Sequence, residues 1–383
     1  MAGIYLHIPF CTQRCVYCDF YFVTTQQSHA SFVDTLCKEI SYYAPDYAER
    51  EPIKTIYFGG GTPSLLHLDD VNKILQTVHD HYNTESVEEI TFEINPEDTD
   101  LSYLRGLRAL GVDRLSIGIQ SFYARDLKFM NRSHGPAEAE AIVPLVRQAG
   151  FERFSADLIF GVPDQPREYW AANLEKAVGL KIPHLSTYGL TIEEKTPLFN
   201  QVERGVVTPA SDESMTEFYQ FTIEYLQSKG YDHYEVSSFA LPGGRAIHNY
   251  NYWNHSNYLG FGPSAHSFWW KGLPAYRWQN IRNLKRYEAL VRGRQFPLES
   301  REAMRLEGLA DEYIMLGLRK REGLDLTHLE DHYGVDLLSD KLDELAMLEE
   351  RRLIEPIRNQ RVRLTNEGFF VINTVTQHLM LDD

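Results

Sequence analysis

The chain has 383 residues, a formal charge of −16 and a pI near 5.4. That length accommodates one large α/β domain with a smaller one beside it, and that acidity excludes a general nucleic-acid binder, whose phosphate contacts need clustered Lys and Arg. Four cysteines, no secretory leader and no run of ~18 apolar residues point to a reducing cytoplasm, against a disulfide scaffold or a spanning helix.

Taken in chain order, Ile4–Phe10 reads as an apolar strand and runs directly into Cys11, Cys15 and Cys18, spaced C-x-x-x-C-x-x-C. Three thiolates this close, with no fourth cysteine or histidine cluster to complete a tetrahedral zinc site, suit a 4Fe–4S cluster with one iron open to a substrate or cofactor. The competing readings are a zinc knuckle completed from afar and a group of inert core cysteines. Cys37, alone in a helix expected over Ser28–Tyr43, reads as packing.

Further strands are expected at Thr55–Phe58, Glu89–Asn95, Arg114–Gln120, Phe154–Phe160 and His184–Leu190, with helices at Leu68–His81, Leu101–Leu110 and Ala137–Ala149 and helix stops at Gly111 and Gly150. Alternating strands and helices predict a parallel α/β sheet, closed or half-closed, whose chemistry sits at the C-terminal strand ends. The cysteine loop follows the first strand. Gly59-Gly60-Gly61-Thr62-Pro63 follows the second, where glycines either bring the backbone close to a ligand or only make a tight turn. Glu93 ends the third strand, Gln120 ends the fourth, and Asp157 lies in the fifth.

Helix Ser211–Lys229 is amphipathic, with Phe218, Phe221, Ile223 and Leu226 expected in the core. Beyond it, His248-Asn249-Tyr250-Asn251-Tyr252-Trp253 places an imidazole among flat aromatic rings. That combination suits haem iron and porphyrin, although a histidine in an aromatic loop is more often structural. His266, in the glycine-rich turn Gly260–His266, is a secondary candidate. After Pro297 short helices are expected at Ala303–Leu318, Leu326–Tyr333 and Lys341–Arg352, with a hairpin from Leu353–Pro356 and Arg361–Leu364, in winged-helix order. From Glu299 onward 11 Lys and Arg face 19 Asp and Glu, which opposes DNA binding.

The segments His7–Cys11, Tyr17–Phe20, GGGTP, Glu93–Glu97 and Gly111–Ser121 together resemble the radical S-adenosylmethionine superfamily, and within it the branch of coproporphyrinogen dehydrogenases and HemW proteins. The resemblance spans nearly the whole chain. It implies a partial (β/α)6 TIM-type barrel over residues 1–230, a core extension over 231–297, and a smaller, mainly helical HemN-type domain over 298–383.

It also implies a cluster on Cys11, Cys15 and Cys18 whose free iron chelates S-adenosylmethionine and cleaves it to a 5′-deoxyadenosyl radical, with an electron donor such as flavodoxin or ferredoxin. Matched by position, Tyr5 and Tyr17 belong around the cluster and adenosine; Gly60, Gly61 and Thr62 contact the methionyl group; Glu93, Gln120, Arg132 and Asp157 make further polar contacts to S-adenosylmethionine. The HNxxYW segment is similar to the HemW haem motif, which implies haem b on His248, Asn249, Tyr252 and Trp253.

Two activities compete within the branch. A dehydrogenase would decarboxylate propionate side chains of coproporphyrinogen III, but it carries a fourth cysteine where this chain has Asp19 and Phe20, and a longer segment before Cys11. A haem chaperone would deliver haem to acceptors such as membrane cytochromes, working in the cytoplasm with at most a peripheral membrane association. A third reading, a radical enzyme acting on RNA or peptide, fits the cysteine spacing but not the charge or the porphyrin-branch match.

Overall fold

A computed structural model describes residues 2–24, 29–48 and 51–381. Six consecutive parallel strands form its centre: β1 (Ala2–Ile8), β2 (Ile53–Gly60), β3 (Glu89–Ile94), β4 (Arg114–Gln120), β5 (Arg153–Phe160) and β6 (His184–Gly189). Their alternation decides what each face carries. Ala2, Ile4, Leu6 and Ile8 of β1 are fully buried in one core with Phe32, Leu36 and Ile40 of the next helix, while Gly3, Tyr5 and His7 lie on the opposite, barrel-facing side.

The crossover helices follow the same logic. In Leu68–His81, Val71, Ile74, Leu75 and Val78 form the buried stripe, and Asp69 and Asp70 in the first turn with His79 and His81 in the last complement the helix dipole. The helix expected from Ser28 is described from His29 to Tyr47; Ser28 lies outside the described residues.

The sheet does not close through its six parallel strands alone. Beyond β6 it continues antiparallel through β8 (Ser238–Ala240) to β7 (Asp232–Glu235), and beyond β1 it continues through β9 (Asn257–Phe261), β10 (His266–Trp269), β11 (Ala275–Asn280) and β12 (Leu298–Met304). β9 is parallel to β1, with Ala2 opposite Asn257 and Leu6 opposite Phe261. The fold is therefore an α/β partial barrel of the TIM type. Its sheet takes in β12, which the sequence reading assigned to the C-terminal part: residues 299–303 are all exposed and three of the five are charged, so no apolar alternation marks them as a strand.

A second core, with Leu309, Ile314, Leu318, Leu329, Leu348 and Phe369 among its members, organises the helical C-terminal module and reaches Phe268, Ala275 and Met304 of the sheet. The expected hairpin is reduced to an Ile354–Leu364 bridge and an Arg358–Arg361 bridge, because Arg361–Val362 pairs instead with Leu324–Asp325. Among the described residues no helix is long and apolar enough to cross a membrane.

Candidate functional site

The cysteine loop leaves β1 at the C-terminal rim of the barrel, and a few backbone bonds hold it there. Cys11 N–H donates to Val23, Val16 N–H to Met130, and Thr62 N–H to Phe10. Cys11, Cys15 and Cys18 are partly exposed free thiols. Burial pushes the Cys11 thiol up to about 11 and the Cys18 thiol up to about 12, and each also feels its neighbouring sulfurs. Among the described residues no three His, Cys, Asp or Glu side chains converge on a single-ion position. Three partly exposed free thiols on one loop are a donor set that an iron–sulfur cluster can use.

The GGGTP turn is used differently from the simplest reading. Gly61 N–H donates to Ile8 and Thr62 N–H to Phe10, and a Cβ at Gly61 would stand 2.6 Å from the Phe10 carbonyl. This glycine is thus needed for the close approach of β2 to the start of the cysteine loop. Gly60, at φ +108°, supplies the turn itself. Thr62 donates its hydroxyl to Cys11 Sγ at 3.6 Å.

Over the end of β4 three polar side chains gather where Gly118 lacks a Cβ: Asn95 Oδ1, Arg132 Nη2 and Gln120 Nε2 lie 3.0 to 3.2 Å from where that Cβ would stand. Arg132 donates to Asn95 Oδ1 at 2.6 Å, to the Gly118 carbonyl at 3.0 Å and to Cys15 Sγ at 3.5 Å. Its Nε and the Oε1 of Gln120 are buried with no protein partner, and Gln120 sits at φ +63°, a left-handed conformation that is costly for a non-glycine residue. Buried polar atoms without a protein partner are groups that a polar ligand can satisfy. Asn95, which the sequence reading quoted only as part of a motif, ties Thr62, Asp98 and Arg132 together. Tyr17 lies beside Arg132, Cys15 and Cys18.

Below the rim, the barrel interior carries the acidic pair. Burial pushes Glu93 up to about 7; Tyr57 donates to it at 2.7 Å and the Gly60 N–H donates as well. Asp157 is raised by burial, and Ser116 donates to it at 3.1 Å. Tyr5 bonds His7 Nδ1 at 3.2 Å, and burial followed by the nearby Glu93 charge raises its phenol.

The HNxxYW segment is a short helix, Ile247–Trp253, that turns inward. The Glu89 carboxylate of β3 accepts from the N–H groups of Ile247 and His248, and so satisfies the helix start from inside the barrel. His248 is only 2 % exposed. Its Nδ1 bonds Thr55 at 2.8 Å, its Nε2 bonds the Tyr252 hydroxyl at 2.9 Å, and burial pushes its imidazole down to about 4. Trp253 donates to Glu235, and Tyr252 lies within electrostatic reach of Tyr5 and Glu93. Asn249 is half-buried in the same helix. His266 is exposed at the start of β10, within electrostatic reach of His7.

Cysteine loop, glycine turn and acidic pair are thus brought to one end of the barrel, with the motif helix against its wall. Thr55, Tyr57 and Glu89, which join the two, were missed by sequence reasoning; their alternation on the barrel face of β2 and β3 was the available signal.

The comparisons agree with this architecture. The radical SAM superfamily matches residues 5–177, and the HemN C-terminal domain matches residues 306–371. A protein named "Heme chaperone HemW" from Lactococcus lactis is 32% identical over 383 residues, covering 99% of this chain and 97% of its own. The Escherichia coli protein of that name is 38% identical over 266 residues, 69% of each chain. Among solved structures, coproporphyrinogen III oxidase (HemN) from Escherichia coli superposes with a TM-score of 0.85 at 24% identity, covering 99% of this chain and 90% of that one. This last likeness speaks for the fold.

Proposed function

Because the chain belongs to the HemW family of the radical S-adenosylmethionine superfamily, we propose that it is a haem chaperone, binding haem b beside an S-adenosylmethionine-ligated 4Fe–4S cluster and passing haem to acceptor proteins such as membrane cytochromes. The observation that carries this reading is the HNxxYW helix set into the wall of the same barrel whose rim presents three free cysteines.

Cys11, Cys15 and Cys18 would hold the cluster, which supplies one-electron reduction towards a bound sulfonium, with flavodoxin or ferredoxin as the class of donor. Arg132, held by the Asn95 carbonyl oxygen beside the cysteine loop, would present its unpartnered Nε–H to a carboxylate. Thr62 steadies Cys11. Gly60 and Gly61 hold the β2 turn against the loop, Gln120 offers its unpaired carbonyl, and Glu93 and Asp157 accept from ammonium or hydroxyl groups. Tyr5 and Tyr17 close the site towards adenosine. His248 would be the residue to hold haem iron, with Tyr252 and Trp253 offering aromatic surface to the porphyrin and Asn249 in the same helix. Work in the cytoplasm, with docking at the membrane surface only during transfer, completes the proposal.

Hemin titration of the purified chain and of His248→Ala tests it. The expected result is a Soret band in the wild type that is lost or displaced in the variant. No Soret change in either protein, together with turnover of coproporphyrinogen III, would instead make the chain a dehydrogenase.

A further inference from the structure

An amide side chain donates from one end and accepts at the other, and Asn95, just past the end of β3, does both beside the cysteine loop. Its Oδ1 accepts from Arg132 Nη2 at 2.6 Å, and its Nδ2 donates to Thr62 Oγ1 at 3.3 Å and to Asp98 Oδ2 at 3.2 Å. The partners fix which way the amide points. A guanidinium can only donate, so the oxygen faces Arg132 and the NH2 group faces Thr62 and Asp98.

Both residues that Asn95 holds are themselves donors to sulfur. Accepting from Asn95 leaves the Thr62 hydroxyl proton to Cys11 Sγ, 3.6 Å away, and Arg132 Nη1 donates to Cys15 Sγ at 3.5 Å. The arrangement has little freedom: Arg132 is also tied to the Gly118 carbonyl at 3.0 Å, Thr62 is buried, and the Asn95 N–H donates to Ser64 Oγ at 3.4 Å. Cys18 differs, since the group that donates to it is the backbone N–H of Phe20. One amide therefore orients the side-chain donors to two of the three sulfurs.

We propose that Asn95 is a positioning residue that sets the reduction potential of the iron–sulfur cluster, by holding Thr62 against Cys11 and Arg132 against Cys15. This rests on the assignment of a cluster to Cys11, Cys15 and Cys18 above, and concerns how readily that cluster takes an electron. The physical ground is that reduction adds negative charge. Hydrogen bonds to the sulfur ligands, above all the charge-assisted one from Arg132, favour the more negative reduced form and raise the potential. Without the amide, Thr62 is free to turn its proton elsewhere and Arg132 loses its shortest anchor.

The test is a redox titration of the full chain after anaerobic reconstitution, without S-adenosylmethionine, read by the electron paramagnetic resonance signal of the reduced cluster. Asn95→Ala releases both donors and should lower the ratio of reduced to oxidised cluster at a fixed potential by about tenfold, equivalent to about 59 mV for one electron. Thr62→Val, which removes only the hydroxyl at nearly constant volume, should lower it by a smaller factor. Asn95→Asp, nearly the same size, keeps an acceptor for Arg132 but cannot donate to Thr62, whose hydroxyl then turns to the carboxylate. In either Asn95 background the effect of Thr62→Val should largely disappear, because it acts through the same link. A merely structural Asn95 would change how much iron is loaded without moving the potential of the clusters that form. An unmoved potential in the Asn95 variants, or a Thr62→Val effect that adds in full to theirs, would overturn the proposal while leaving the cluster in place. Wild-type chain that takes up no iron and acid-labile sulfide would instead overturn the cluster assignment on which it rests.

Discussion

The cysteine loop and the HNxxYW helix are equally conspicuous as strings of residues, and they are opposite as pieces of structure. The loop lies on an open rim, with free thiols, an unpaired Arg132 Nε and an unpaired Gln120 carbonyl around it. The helix is folded inward, with both nitrogens of its histidine and the N–H groups of its first two residues already satisfied. The rim keeps buried polar atoms of Arg132 and Gln120 without a protein partner, whereas both ring nitrogens of His248 are paired. A motif therefore tells which chemistry is available; whether the group is ready for it is a property of the surroundings.

The largest expected effect that would break this contrast comes from Cys15→Ser. It should abolish cluster loading, measured as iron and acid-labile sulfide after anaerobic reconstitution, while His248→Ala should keep the full iron content. Equal iron loss in both variants would mean that the two regions form one metal site.

Next in size is Glu39→Leu. Glu39 is a buried carboxylate that joins the first helix to the extension, accepting from Gly262 N–H at 2.8 Å and from Asn280 and Tyr287 at 2.6 Å each. Its loss orphans three donors and should cost about 3 kcal/mol in thermal or denaturant unfolding, with the rim cysteines untouched.

The contrast is sharpened by pH. Because burial holds Glu93 at about 7, above the ordinary carboxylate value, the carboxyl is neutral on the acid side and becomes an anionic, acceptor-only carboxylate as pH rises. S-adenosylmethionine affinity should therefore increase as pH rises through 7 and weaken by up to about tenfold for each unit below it. Glu93→Gln should flatten that profile in calorimetric titrations.

The smallest effect is expected for Cys37→Ala. Cys37 is packed in the main core and points its thiol at the Lys73 carbonyl, so the substitution should cost about 1 kcal/mol of stability and leave iron content unchanged.

The parallel strands were legible because each carries its own short apolar run, and β4 begins and ends at the residues its sequence indicates. The rim set was legible because strand ends bring distant residues to one side of a parallel sheet by topology alone. Cys37 as a packing residue followed from its place in a helical stripe. The inward turn of His248 left no local trace: its partner Thr55 lies 193 residues away, and its helix is capped by Glu89, 159 residues away. The grouping of Asn95 with Arg132 across 37 residues was hidden for the same reason.

By itself, the sequence determined the alternating α/β order, the cysteine spacing, the glycine turn and the family, since periodicity, spacing and residue type are local properties that any fold must honour. Only the tertiary structure decided that β9 returns to pair parallel with β1, that Gly61 serves a backbone contact, and that His248 faces the barrel with no nitrogen to spare. Those outcomes depend on which buried polar group finds which partner, and such matches are made between chain segments that carry no record of one another.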